Sequence, residues 1–118
     1  MLARQYTLGV RFCPWYPLAD AEVITPAAPG VLQLRRASGL LDYPSGKSAM
    51  VWYGHAEDMR AIALDLSRAH TSQDLLCRHL IEIDDATDLP AFCAKLRGEF
   101  VRRFGSVPIL ELAEPTRS

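Results

Sequence analysis

The chain of 118 residues has little that would tie it together covalently: three cysteines, Cys13, Cys77 and Cys93, lie far apart with no CxxC pair among them. An odd number of widely spaced thiols excludes a closed disulfide framework and argues against a zinc site; reduced thiols suit a cytoplasmic location. Uncharged apolar runs fall far short of the ~20 residues that a membrane span needs. Residues 1–11 contain Arg4 but no continuous apolar stretch of the secretory-signal type, so no membrane partner is expected. Nor is there an excess of charge of one sign. Thirteen Lys and Arg against 14 Asp and Glu leave a formal net charge of -1 and a pI near 6.3. Nucleic-acid binding would therefore need a local basic patch rather than a global field. Internal repeats and low-complexity tracts are absent too.

What is present is an ordinary globular composition, 49% hydrophobic and 23% charged, in a length suited to a single domain. Residues 5–12 alternate Tyr6, Leu8, Val10 and Phe12 with more polar neighbours, which predicts an opening strand. Pro14 and Pro17 interrupt it, because proline cannot donate to a ladder. A short helical turn is expected within 18–24, then a connector over 25–30. Residues 31–36 alternate again, with Leu32 and Leu34 directed inward. The Gly-, Ser- and Pro-rich run 38–48 predicts a loop or wide hairpin connection. Residues 49–53 form a second strand whose continuous apolar character suits a central position covered on both faces.

The clearest element is a helix over 56–70, where Ala56, Met59, Ile62, Ala63, Leu66 and Ala69 recur at helical spacing. Glu57 and Asp58 are expected in its first turn, opposite the positive end of the dipole. A strand over 75–83 follows. A second helix begins at Thr87 or Asp88, with Pro90 in the first turn, and ends at Gly105 before Pro108. Its apolar stripe is Leu89, Phe92, Cys93, Leu96, Phe100 and Phe104. Leu110 and Leu112 suggest a short terminal strand ahead of a frayed tail.

Two segments carry a family resemblance, Pro29-Gly30-Val31-Leu32 and Val51-Trp52-Tyr53-Gly54-His55-Ala56. Each is an apolar strand with a glycine beside it, and the second leads into the helix. That order resembles the GIY-YIG nuclease family over residues 29–108. The resemblance implies an α/β (α+β) fold over residues 1–118, with a small, mostly antiparallel sheet of three to four strands and two main helices. It also implies a phosphodiesterase site built from a tyrosine, an arginine on the next helix and a metal-binding glutamate on a later one. Carried over by position, Gly30 and Gly54 match the motif glycines. Leu32 stands at the tyrosine of the first motif, Trp52 at the first tyrosine of the second, and Ile62 at the arginine. Trp52 only donates through its indole N–H and cannot act as a base. Glu99 is the candidate metal ligand, for magnesium or manganese if the site is active, and a rearranged site would draw on Trp52, Tyr53, His55, Arg60 and Glu99.

Other signals are weaker. Gly46-Lys47-Ser48 resembles the end of a phosphate loop, but Leu41 replaces the required glycine and a strand follows instead of a helix. His55, His70 and His79 lack ligand spacing, so surface or capping roles are expected for each. Trp15, Tyr16 and Trp52 suit core or interface anchors. Lys95, Arg97, Arg102 and Arg103 form a basic face on the last helix that Arg35 and Arg36 could extend, with Arg35, Lys95, Arg102 and Arg103 as candidate phosphate contacts. The expected function is a GIY-YIG-like module with degenerate catalytic residues that binds DNA or another nucleic acid, or a protein partner. A divergent metal-dependent endonuclease and a small protein-interaction subunit are the alternatives.

Overall fold

The structure, a computed structural model, describes residues 11–71, 73–82 and 88–110. It is an α+β fold, with seven strands in two antiparallel sheets and three helices among the described residues. The strands are β1 (Arg11–Phe12), β2 (Tyr16–Pro17), β3 (Gly30–Arg36), β4 (Leu41–Tyr43), β5 (Gly46–Ser48), β6 (Met50–Ala56) and β7 (Leu75–Glu82). The helices are α1 (Ala21–Ile24, after a 3-10 turn at Leu18–Asp20), α2 (Met59–Ala69) and α3 (Leu89–Phe104). In the main sheet β1, β7, β3 and β6 lie side by side, and β2 also pairs with β7. The expected opening strand is present only as β1, and its residues 5–10 lie outside the described residues, as do Leu112 and the tail. Pro14 follows β1; lacking an N–H, it divides β1 from β2 along the β7 edge.

Segments 30–36 and 50–56 pair with each other, from Gly30 opposite Ala56 to Arg35 opposite Met50. Strand β7 occupies the other side of β3, with Leu32 opposite His79 and Leu34 opposite Cys77. The sheet is thus four strands across, as expected, with β1 and β2 sharing the outer position on β7; among the described residues β6 has a strand on one side only, where a central position was expected. Its continuous apolar run reflects cover by helices on its two faces, which lateral position does not determine. Run 38–48 holds the β4–β5 hairpin, with Leu41 opposite Ser48.

The two-residue period of β3 sorts the core into two clusters. Leu32 and Leu34 join Trp52, Ala56, Leu75 and Cys77 under α1 and α2, where Ala21, Met59, Ala63 and Leu66 pack. Val31 faces the other way and meets Leu80, Cys93, Leu89, Phe92 and Leu96 under α3. Helix α2 starts later than expected: Ala56 ends β6, and Asp58 is the N-cap, its Oδ1 accepting the Ala61 N–H at 3.1 Å. Glu57 therefore precedes the first turn. Asp88 caps α3 in the same way, and Gly105, at φ 86°, ends it in the left-handed conformation. Ile109 and Leu110 are helical instead of extended. Among the described residues, no helix is long and apolar enough to cross a membrane.

The motif glycines have steric reasons of their own. A Cβ on Gly54 would lie 2.1 Å from the Trp52 ring, which folds back over it on the same face of β6. A Cβ on Gly30 would lie 2.4 Å from Met59 Sδ. The indole is rigid and buried, whereas the thioether can swing aside. Gly54→Ala is expected to lose about 1–3 kcal/mol of stability through overpacking, and Gly30→Ala distinctly less. Urea denaturation of the two variants measures this, and equal losses would contradict the assigned contacts.

Candidate functional site

The five positions expected to form a rearranged catalytic site are not brought together. Trp52 is buried in the α1/α2 cluster beside Leu32, and half-buried Ile62 packs against that cluster. Arg60 is on the same side, with Nε donating to the Thr25 carbonyl at 2.8 Å and its backbone N–H donating to Pro26 at 3.1 Å. This arginine fastens the start of α2 to the 25–28 connector. Tyr53 faces α3, its ring 5.9 Å from that of Phe100, and His55 is exposed. Glu99 is exposed on α3, so the sheet stands between it and Trp52. Lys95, Arg102 and Arg103 are exposed around it, four residues before and three and four after. Arg97 turns inward instead, and its Nη2 donates to the Tyr53 carbonyl at 2.9 Å. No three His, Cys, Asp or Glu side chains among the described residues are grouped to hold a metal.

A different cluster does assemble, on the sheet face that carries Val31 and Tyr53. Tyr53, Gln33 and Arg78 lie in one row across β6, β3 and β7. Arg78 Nε donates to Gln33 Oε1 at 2.7 Å, and Gln33 is buried. Arg35 sits diagonally from Arg78 on the neighbouring strand, where Cα atoms are roughly 7–8 Å apart. Both guanidiniums lie against Trp15, at 4.5 Å for Arg35 and 4.6 Å for Arg78 from the ring centroid. Arg78 also lies 4.7 Å from the Phe12 ring. Burial, and then the charge of Arg35, lowers the Arg78 pKa below its ordinary value. Arg35 Nε is the one buried side-chain polar atom among the described residues that lacks a partner. The ion pairs with carboxylates found there, Lys47–Asp42 and Arg68–Asp65, involve neither arginine. Two half-buried cations thus share one aromatic ring without a counter-charge among the described residues.

On the opposite face, Tyr16 anchors a polar network inside the α1/α2 cluster. Its hydroxyl is 2.6 Å from Thr25 Oγ1 and 2.8 Å from His79 Nδ1, while the Cys77 thiol donates to it at 3.6 Å. Half-buried Cys13 places its sulfur 3.5 Å from the same imidazole nitrogen. His79 is therefore neither a surface nor a capping residue, because β7 alternation carries it inward beside Leu32. His55 is exposed, and His70 is the residue that caps α2. Burial lowers the His79 pKa and raises that of Tyr16 well above the usual phenol range; it pushes the Cys77 thiol up to about 11. All three groups are held neutral. Tyr16 was legible as an anchor; its polar partners were not, since they come from segments nine and more than sixty residues away. The cation pair left one sequence signal, Arg78 between Leu76 and Leu80 on one face of β7; Arg35 keeps the alternation of β3.

The neutral network sets a pH dependence. A histidine whose folded pKa lies below 6.5 takes up its proton more readily in the unfolded chain, so stability falls as pH drops through about 6.5. On the alkaline side, unfolded Cys77 ionises before the folded thiol, so stability also falls as pH rises from about 9 toward about 11. Urea midpoints measured between these limits should fall at both ends, and His79→Gln should flatten the acidic limb. In the cation pair, Arg78→Met should cost about 1–3 kcal/mol by leaving the buried Gln33 oxygen without its donor. Arg35→Met should cost little or stabilise, since it removes a repulsive charge and an orphaned donor.

No known protein family, curated protein or solved structure matches the chain.

Proposed function

We propose that the protein is a non-catalytic nucleic-acid-binding module on a GIY-YIG-like scaffold, with the Trp15–Arg35–Arg78 cluster as its principal phosphate-contacting surface. The observation that carries this reading is the pair of half-buried guanidiniums held on one ring with no carboxylate partner among the described residues. Placing like charges together in a partly desolvated patch destabilises the free protein, and an incoming polyanion offsets that penalty. The exposed Lys95, Arg102 and Arg103 on α3 add charge to the outer surface. The non-catalytic part of the reading is supported by buried Leu32 and Trp52 at the family's tyrosine positions and half-buried Ile62 at its arginine position. It is also supported by the sheet that separates Glu99 from Trp52 and Arg60.

Gel retardation and fluorescence anisotropy with labelled DNA and RNA, in single and double strands, test the reading. Affinity should fall steeply with salt, and each of Arg35→Gln and Arg78→Gln should reduce the salt slope by about one. Retention of full affinity in the double variant would remove the cluster from the function. Binding that is absent even at low salt would remove nucleic acid as the partner. Plasmid nicking is not expected with magnesium or manganese; nicking that disappears in Glu99→Gln would instead establish the endonuclease alternative.

A further inference from the structure

Resting on the nucleic-acid reading, we infer that the Trp15–Arg35–Arg78 cluster is a receptor for a phosphate monoester, the group that ends a phosphorylated strand, rather than for the internal phosphodiester backbone. The first reason is charge density. Internal phosphates carry one negative charge each, spread at about 3.4 Å of helix rise along a strand. A monoester concentrates a charge of roughly −1.5 to −2 and three acceptor oxygens at one point. Arg35 and Arg78 likewise concentrate two positive charges at one ring, both within 4.6 Å of it.

The second reason is donor geometry. The Gln33 oxygen takes the Nε–H of Arg78 and so fixes the plane of that guanidinium. Its terminal nitrogens are left to face a ligand, and among the described residues they have neither a protein acceptor nor complete burial. The terminal nitrogens of Arg35 are in the same state, although its Nε is sealed. Two planar forks offering parallel N–H groups match the oxygens of one phosphate group, where lysine would supply only a point charge. Trp15 holds both guanidiniums against its ring, which restrains their rotation before the ligand arrives. With the ring engaged in this way, its role is to position cations rather than to stack a base.

The third reason is the lack of competition. Of the carboxylates paired with cations among the described residues, Asp42 engages Lys47 and Asp65 engages Arg68, so neither neutralises the cluster. A dianionic oxygen cluster supplies a counter-charge that none of the described residues provides. Strand ends and nucleoside monophosphates share this chemistry, and the measurement must separate them.

Anisotropy with one short single-stranded oligonucleotide, prepared with a 5′-phosphate, a 3′-phosphate or hydroxyl ends and labelled away from the tested end, makes the comparison on the unaltered protein. At least one phosphorylated form should bind about tenfold or more tightly than the hydroxyl form, and Arg35→Lys should lose most of that preference while keeping the charge. Thermal shift with a nucleoside monophosphate, and separately with inorganic phosphate, tests the small-molecule source. Stabilisation by the monophosphate without any end preference assigns the receptor to a free nucleotide. Equal affinity for phosphorylated and hydroxyl-ended strands, with no stabilisation by either small ligand, overturns the inference. In that last case, salt-dependent binding that still needs Arg35 and Arg78 leaves the nucleic-acid reading standing; loss of all binding removes both.

Discussion

The position of β3 between two antiparallel partners is the constraint on which the rest depends. A strand flanked on both edges has all its backbone groups committed, so its side chains can only alternate between faces. In β3 that alternation places Leu32 and Leu34 in one core and Val31, Gln33 and Arg35 on the opposite face. A one-residue slip would bury Arg35 in the α1/α2 cluster and carry Leu32 and Leu34 to the face of Gln33 and Arg35. Register is therefore strongly specified, and with it the placement of every group on β6 and β7 that faces β3. The two faces then acquire different chemistry: neutral and sealed under α1 and α2, cationic and partly open beyond α3.

The Trp52–Gly54 contact gives the glycine at position 54 a packing role of its own. The indole occupies the space that a Cβ on Gly54 would need. The glycine is required by packing alone, without appeal to a substrate. The same logic applies to Gly30 under Met59 and to Arg60, which is engaged in fastening the 25–28 connector. Leu32, Trp52 and Ile62, at the tyrosine and arginine positions of the resemblance, are thus accounted for by the core, while Glu99 stays exposed on α3.

On the other face the balance is different. Arg35 and Arg78 would be simpler to place as apolar residues, because half-buried like charges and an orphaned Nε–H both oppose folding. The Gln33 contact and the two aromatic rings offset part of that cost. They hold the guanidiniums in position without neutralising them. Structural roles commonly pair an arginine with a carboxylate; this pair is braced and, among the described residues, has no carboxylate partner.

Much of the local architecture was legible from sequence. Thr87 or Asp88 before an apolar stripe marked the start of α3, Gly105 marked its end, and the two-residue period of 31–36 assigned Leu32 and Leu34 to the core. Those signals are local, written in residues within a few positions of one another. The sequence did not tell that β6, among the described residues, has a strand on one side only, because an apolar run records cover above and below rather than neighbours alongside. His79 looked like any isolated histidine until β7 pairing set it beside Tyr16, and Arg97 looked like its exposed neighbours until α3 packing turned it onto β6. Periodicity and capping chemistry by themselves determined elements and inward faces. Strand order, the separation of Glu99 from Trp52 and the meeting of Arg35, Arg78 and Trp15 were decided only by tertiary structure, since they depend on contacts between segments tens of residues apart.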